Sequence, residues 1–309
     1  MGIELGGTDT RVEERPPAPP PDRPGQPGSP SRLESLRAAR EAQEARASAA
    51  EGRAVPPTVR EQRPDAPAEA VRYPEVIDRT GYVFTEREYA FAGVSPAQAS
   101  DMRARRVPLG IERDQWNACV AELNEALAAD GITEADVRLK GSGAGFCSEN
   151  PEKWFPQNEG ELRERVLHRY RNAPEDERAQ RADDAVAVYR EAGFSQEGPK
   201  PAAPFFDSMY KLDAGDGASD YDFQIASDGL ARRFQELEKA APDVEWRSRH
   251  GGHFKHRHLE RVAPALHAWA ERWENAFDRE VTLATFDGRG PATGLQDDDW
   301  IIRRNGGSR

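Results

Sequence analysis

The sequence offers little that would stabilise an extracellular domain or anchor the protein in a membrane. Its 309 residues include only two cysteines, Cys119 and Cys147, which lie far apart and form no C-x-x-C pair. The sequence therefore contains no disulfide framework and no cysteine-based zinc motif. No apolar run approaches the roughly 18 residues of a membrane-spanning helix, and the first residues lack the apolar core of a secretory signal. We expect reduced thiols, no membrane partner and a cytoplasmic location, which leaves delivery by a specialised secretion system open.

Aromatic residues are missing from the chain before Tyr73, whereas proline is abundant there. Thirteen of the 24 prolines lie at or before Pro74. A segment without large apolar side chains buries too little area to offset the entropy that it loses on ordering. We therefore predict that residues 1–75 form a disordered region rich in Pro, Arg and Glu. A marginal helix at about 31–53, with a thin apolar face, is the exception and could bind a partner.

Positive charge is also in deficit over the whole chain. The 43 Lys and Arg residues face 55 Asp and Glu residues, so the formal net charge is −12. This balance argues against a general nucleic-acid-coating protein, although it permits a local basic patch. The mean hydropathy of −0.84 predicts a modest folded core beside substantial disorder.

Apolar periodicity predicts helices and a few strands from about Tyr82 onward. Helices are expected at about 86–91, 95–105, 112–130, 159–171, 174–192, 228–241 and 259–277. Strands are expected at 136–140, 220–225 and 281–287, with shorter extended pieces at 208–212 and 244–246. We predict an α+β protein with a helical segment at 76–130, a main domain at 131–290 that carries a helical insertion at about 148–204, and a C-terminal tail at 291–309.

Two carboxylates, Asp220 and Asp222, form a D-x-D pattern and are the main candidate functional residues of the chain. If they lie on a strand, both side chains point to the same face and four oxygens converge. Two carboxylates held that close repel each other unless a proton or a cation lies between them. Mg²⁺, bound by one or two carboxylates and by substrate phosphates, suits such a pair. The alternative is a solvated strand end with two ordinary aspartates.

A glycine-rich turn follows the first expected strand. The sequence runs from Leu139 and Lys140 into Gly141 and Ser142, with Gly143 and Gly145 just beyond. Glycines allow the backbone to approach a ligand closely, and a serine hydroxyl with exposed N–H groups suits a phosphate. Gly-Ser turns without a ligand are common, so this pattern alone does not decide the matter.

The order of these patterns resembles the DNA polymerase β-like nucleotidyltransferase superfamily. Gly141-Ser142 after one strand, and the run from Ser219 to Phe223 that contains Asp220 and Asp222, match the two short motifs of that superfamily. The resemblance covers about residues 112–287. It implies a mixed sheet flanked by helices, and metal-dependent transfer of a nucleotide from an NTP to a hydroxyl.

The resemblance also implies roles for particular residues and ligands. Asp220 and Asp222 would hold Mg²⁺ or Mn²⁺ against the triphosphate, while Gly141 and Ser142 would contact its β and γ phosphates. Ser219 and Lys211 are further candidates for nucleotide binding, although an exposed strand lysine is the alternative for Lys211. ATP is the favoured NTP, and the acceptor could be a protein, an RNA or a small molecule.

Two departures from the superfamily pattern matter. About 78 residues separate Ser142 from Asp220, where compact members have a short segment; such a length is tolerable because the cost of closing a loop grows only logarithmically. The third carboxylate is also missing, since the matching position on the later strand is Thr282. Asp287, at the far end of that strand, is our expected catalytic substitute, with Glu245 as the other acid in question.

A stretch rich in histidine and basic residues lies between the D-x-D pattern and the last strand. His253, Lys255, His256 and Arg257 could contact phosphate or the acceptor, because residues 247–261 carry five Lys and Arg side chains against Glu260. The histidines, with His258, could alternatively bind a transition metal. A solvated loop without a ligand is the third interpretation.

Two other functional classes compete with the nucleotidyltransferase. The missing acid at Thr282 would suit a catalytically degenerate nucleotidyltransferase-like interaction module, or a toxin or effector domain presented by a larger protein. A metal hydrolase that uses His and Asp ligands is the third class.

Overall fold

The computed structural model describes residues 72–215, 217–248, 252–288, 290 and 300–304. The region predicted to be disordered, with its marginal helix, lies outside the described residues except for its last four positions. The described part is a mixed α+β structure with a four-stranded sheet flanked by helices. No helix within these ranges is long and apolar enough to cross a lipid bilayer.

The described helices follow the chain in this order: α1 (Glu86–Ala92), α2 (Pro96–Arg103), α3 (Arg113–Ala129), α4 (Ser142–Gly145), α5 (Glu159–Arg169), α6 (Glu175–Glu191), α7 (Ser208–Lys211), α8 (Asp228–Ala240), a 3-10 helix (His256–Arg261) and α9 (Pro264–Phe277). The long helices occur where apolar periodicity predicts them. The helix expected at 259–277 begins only at Pro264, because proline fits the first turn but not the interior of a helix.

The sheet contains β1 (Asp136–Lys140), β2 (Tyr221–Ala226), β3 (Val281–Phe286) and β4 (Trp300–Arg303) in the order β3-β2-β1-β4. The strand β2 pairs antiparallel with β1 and parallel with β3. Parallel neighbours need a long crossover, and here α8, the 3-10 helix and α9 provide it. The pairing aligns the start of β2 with the end of β1 and with the start of β3.

Alternation along β2 separates a packed face from a polar face. Tyr221, Phe223 and Ile225 are fully buried, and the ring of Phe223 meets Trp269 of α9 edge to face at 5.0 Å between centroids. Since successive side chains on a strand point to opposite faces, Asp222 must face away from α9. The same helix packing that forms the core therefore leaves the carboxylates on the other side of the sheet.

Two predictions for short segments are wrong. Residues 208–211 form α7 rather than an extended piece, and residues 244–246 lie outside the strands. Four or five residues are too few to distinguish a period of 2 from one of 3.6, so neighbouring contacts decide such segments.

Four described residues within the expected C-terminal tail belong to the sheet. Trp300–Arg303 forms β4 on the edge of β1, and Trp300 is buried with its ring 5.9 Å from that of Trp116. The apolar patch at this point thus covers a strand edge that would otherwise present unpaired backbone groups.

The insertion at about 148–204 leaves and re-enters the sheet region at one place. Cys147 and Phe205 form an isolated antiparallel β-bridge through their backbones, and the backbone N–H of Phe155 donates to the carbonyl of Ala202 at 2.8 Å. Between these points α5 and α6 pack against each other. The two ends of the insertion are therefore joined, and residues of the insertion line the same cleft as Asp222 at the start of β2.

Candidate functional site

The Gly141-Ser142 turn lies directly beside the two aspartates. Lys140 at the end of β1 pairs with Asp222 in β2, so the residues that follow β1 meet those that precede β2. Gly141 has φ of +92°, and a Cβ at that position would lie 3.6 Å from Oδ2 of Asp222 and 3.8 Å from Oδ1 of Asp220. Both carboxylates therefore lie beside Gly141, and the positive φ of this residue favours glycine there.

A hydrogen-bonded network fixes the turn and the entry to β2. The hydroxyl of Ser142 donates to Oγ of Ser219 at 2.8 Å, and the same oxygen accepts from the backbone N–H of Asp207 at 2.8 Å. The carboxylate of Asp207 accepts from the N–H of Ser219 at 2.8 Å and from both terminal nitrogens of Arg279 at 2.8 and 2.7 Å. Arg279 also donates to the carbonyl of Ser219 at 3.1 Å, so Ser219 positions the motif through its contacts with Ser142, Asp207 and Arg279.

The carboxylate of Asp222 is buried beside a second carboxylate, that of Asp220. Burial, together with repulsion from Asp220, raises the pKa of Asp222 above its ordinary value. The hydroxyl of Thr282, its neighbour in β3, donates a hydrogen bond to this carboxylate and opposes the increase. A cation near both aspartates would relieve the repulsion that the hydroxyl offsets only in part.

Glu280 is the acid that sequence reasoning missed. The N–H of Tyr221 donates to the carbonyl of Glu280 at 2.9 Å, so Glu280 lies across from Asp220 where β2 and β3 begin. Burial and the proximity of Asp220 raise the pKa of its side chain. Glu280 precedes Thr282 by two residues, which is the spacing that puts two strand side chains on one face, and this spacing was the available signal.

The aspartates lie in an open cleft of about 1020 Å³. The side chains that line it include four cations, Lys140, Lys153, Arg165 and Arg279, and eight acids, Glu149, Glu152, Asp207, Asp220, Asp222, Glu274, Asp278 and Glu280. The cleft therefore has a formal excess of four negative charges, so an anionic ligand could bind there only with compensating cations. The charge of Lys153, from the insertion, partly opposes the increase in the pKa of both Asp222 and Glu280, and sequence reasoning did not single it out.

Several residues expected at the site are elsewhere. Asp287 follows the end of β3, about 16 Å along the strand from Thr282 at about 3.3 Å per residue. Lys211 donates to the carbonyl of Phe91 at 2.8 Å, is not part of the cleft lining, and has a pKa that burial lowers. Glu245 pairs with Lys255 and Arg257 at 2.6 and 3.6 Å, away from the cleft. None of these three residues lines the cleft.

The three described histidines of the basic stretch lie against three different neighbours, whereas His250 lies outside the described residues. His253 lies beside Phe286, His256 beside His267 and His258 beside Trp246, with ring centroids 5.5, 5.7 and 4.5 Å apart. Burial lowers the pKa of His253 and of His256, which favours their neutral forms. No described residue between Gln224 and Glu274 lines the cleft, so the described part of the stretch lies apart from the aspartates.

Comparison with models of known protein families, with curated proteins and with solved structures found no match to this chain. The function of the cleft must therefore be argued from its own geometry.

The donor set on the polar face of β2 fits a hard divalent cation. Asp220, Asp222 and Gln224 alternate along the chain and all line the cleft. The Oε1 atom of Gln224 is buried and has no hydrogen-bond partner among the described residues. Oxygen ligands of this kind suit Mg²⁺ or Mn²⁺.

The described residues do not by themselves complete a metal site. Within these ranges, no three Asp, Glu, His or Cys side chains are grouped so that they could hold a metal ion. An ion held by two aspartates alone would need further oxygens from a ligand, which is how Mg²⁺ is usually bound together with substrate phosphates.

Proposed function

We propose that the protein is a metal-dependent nucleotidyltransferase that transfers NMP from an NTP, with ATP as the favoured donor, to a hydroxyl acceptor. The convergence of Asp220 and Asp222 beside the Gly141 turn carries this proposal. It brings together the two short motifs on which the resemblance rests, although 77 residues lie between Ser142 and Asp220 in the chain. The acidic cleft around them also favours a substrate that arrives with a divalent cation.

Different residues of the cleft would bind the metal and the phosphates of the NTP. Asp220 and Asp222, with Oε1 of Gln224, would hold Mg²⁺ or Mn²⁺. The metal, when bound, would neutralise the charge on the phosphates. Gly141 leaves room for the phosphates, Ser142 is fixed beside them by Ser219, and Lys153 supplies positive charge from the insertion.

The chemical step requires a place for one proton. The acceptor oxygen would form a bond to the α-phosphorus, the bond from that phosphorus to the oxygen bridging the β phosphate would break, and pyrophosphate would leave. The proton of the acceptor hydroxyl would pass to a base in the cleft. Glu280 is the carboxylate across from Asp220, and a raised pKa suits a general base near neutral pH.

Transfer can be tested with ATP, GTP, CTP and UTP labelled at the α phosphate, each with Mg²⁺ or Mn²⁺, in a cell extract that supplies acceptors. We expect label in protein, RNA or a small molecule with the wild type. Asp220→Asn/Asp222→Asn should abolish it, because this variant keeps the shape of the site and removes its charge. The matched control is Asp287→Asn, which removes a carboxylate from the same sheet outside the cleft and should transfer normally.

Undiminished transfer by Asp220→Asn/Asp222→Asn would contradict the proposal. If folded wild-type protein binds an NTP but transfers no label, the second candidate, a degenerate nucleotide-binding interaction module, gains support. The observation that favours this candidate is Thr282, which stands beside Asp222 where the resemblance expects an acid.

A further inference from the structure

Trp154 differs from every other tryptophan in the chain. All six tryptophans lie among the described residues, and five of them are at most 5% exposed, whereas Trp154 is 50% exposed. An exposed indole ring is energetically unfavourable in water, since burial of such a ring is a large source of stability. This position therefore calls for an explanation other than folding.

The indole ring is held in place rather than left free in solvent. The guanidinium of Arg79 lies 4.2 Å from the ring centroid and donates to the backbone carbonyls of Asn150 and Lys153 at 3.3 and 2.8 Å. Arg165 donates to the carbonyl of Trp154 itself at 2.7 Å. The next residue, Phe155, is anchored in the core. Trp154 is thus a fixed surface with one face covered by a cation.

The exposed ring belongs to the cleft lining. Trp154 lines the cleft, whereas Arg79, whose guanidinium lies over the ring, does not. Lys153, the preceding residue, lies close enough to Asp222 and Glu280 to shift the pKa of each. Adjacent Cα atoms are about 3.8 Å apart, so Trp154 is next to a residue whose charge acts on the carboxylates.

From this geometry we infer that Trp154 is the stacking platform for the nucleobase of the NTP. The inference rests on the proposed function, and it assigns to the insertion a part in substrate binding. A base stacks on an aromatic ring whatever its hydrogen-bonding pattern. Because the guanidinium of Arg79 covers one face of the Trp154 ring, only the other face is left for a base. The phosphates would lie toward Asp220 and Asp222, and the base would lie at the rim.

The test compares a ligand that has a base with one that has none. The two probes are α,β-methylene-ATP, which cannot donate its nucleotide, and inorganic tripolyphosphate, both with Mg²⁺ and both measured by calorimetry. We expect Trp154→Ala to weaken binding of the ATP analogue about tenfold, a typical loss for one stacked base. Tripolyphosphate should bind equally well to the variant and the wild type. Trp154→Phe, the matched control, should retain most of the affinity because it keeps an aromatic face.

Tryptophan fluorescence gives a second measurement on the same samples. The ATP analogue should quench the wild type more than it quenches Trp154→Phe, since the other tryptophans are buried. If Trp154→Ala lost affinity equally for both ligands, or lost affinity for neither, the stacking role of Trp154 would be wrong and the proposed function would be unaffected. A wild-type protein that binds neither ligand would overturn both. Asp220→Asn/Asp222→Asn should weaken the binding of both ligands. This pattern distinguishes a loss of contacts with the phosphates from a loss of contacts with the base.

Discussion

Glu280 marks the point at which this chain departs from the pattern that its motifs resemble. An acid two residues farther along would lie beside Asp222, but that place belongs to Thr282, whose hydroxyl donates to the same aspartate. Glu280 is one alternate position earlier, across from Asp220. If it receives the proton of the acceptor, the missing acid has been displaced along the strand rather than lost.

Glu280→Gln should therefore slow transfer while leaving nucleotide binding intact. We expect a decrease of about 100-fold in the single-turnover rate, within the range that a general base contributes, and an unchanged affinity for α,β-methylene-ATP. Glu152→Gln is the matched control, because Glu152 is another glutamate of the cleft lining, whereas the charge of Glu274 raises the pKa of Glu280 itself. A Glu280→Gln variant that transfers as fast as the wild type would exclude this residue as the base.

Single-residue predictions succeeded where local geometry was sufficient. The rule that residues i and i+2 share a strand face brought Asp220 and Asp222 together, and the structure has them on one face. It failed for charged residues whose partners are distant in the chain. Residues 247–261 carry an excess of positive charge on their own, but their acidic partners precede them in the chain. Glu245 pairs with Lys255 and Arg257, and Glu238 pairs with Arg247.

At the level of elements, the buried pair of Asp207 and Arg279 joins the start of α7 to the entries of β2 and β3. Their side chains are only 9% and 14% exposed. Burial alone would raise the pKa of Asp207, but the hydrogen bonds and charge of Arg279, the N–H of Ser219 and the charge of Lys211 lower it below 3.8 overall. The pair therefore favours the folded state whenever Asp207 is ionised in both states.

Asp207→Asn should destabilise the protein in a pH-dependent manner. The variant leaves Arg279 buried without its counter-ion, so we expect a loss of about 3 kcal/mol in the free energy of unfolding near pH 7. A group whose pKa is lowered on folding contributes stability above its ordinary value, and this contribution disappears as the pH falls through the folded value. The difference between wild type and variant should thus shrink below pH 3.8.

Urea unfolding at neutral pH and at about pH 3 measures this difference. Asp183→Asn is the control, because Asp183 is 60% exposed in its pair with Arg163 and exposed pairs contribute about 1 kcal/mol or less. A loss that is equal at both pH values would show that Asp207 acts by shape or hydrogen bonding alone.

Elements were predictable in proportion to their length. Helices such as α3 and α6 span seventeen residues each, so their periodicity is repeated several times. The four residues of α7 and of β4 carry no such repetition, and contacts from elsewhere in the chain determine them. The strand β4 forms because the edge of β1 and the ring of Trp116 give Trp300 a place to be buried.

Over the whole molecule, the insertion is the least predictable part and contributes most to what is particular about the cleft. Sequence reasoning placed its two helices and treated it as a tolerated excursion. Its first turn, however, supplies Lys153 and Trp154 to the cleft. Their position depends on the contacts that tie Phe155 to Ala202 and Cys147 to Phe205, and no local pattern encodes such pairings.

The excess of negative charge in the cleft leads to the central claim, which is that the aspartates bind a divalent cation together with a nucleotide. Counting bound Mn²⁺ by electron paramagnetic resonance tests it most directly. We expect weak binding by the protein alone, because no three ligands are gathered among the described residues, and clear binding once α,β-methylene-ATP is added. Nucleotide-dependent Mn²⁺ binding that survives in Asp220→Asn/Asp222→Asn, or that never appears in the wild type, would contradict the account.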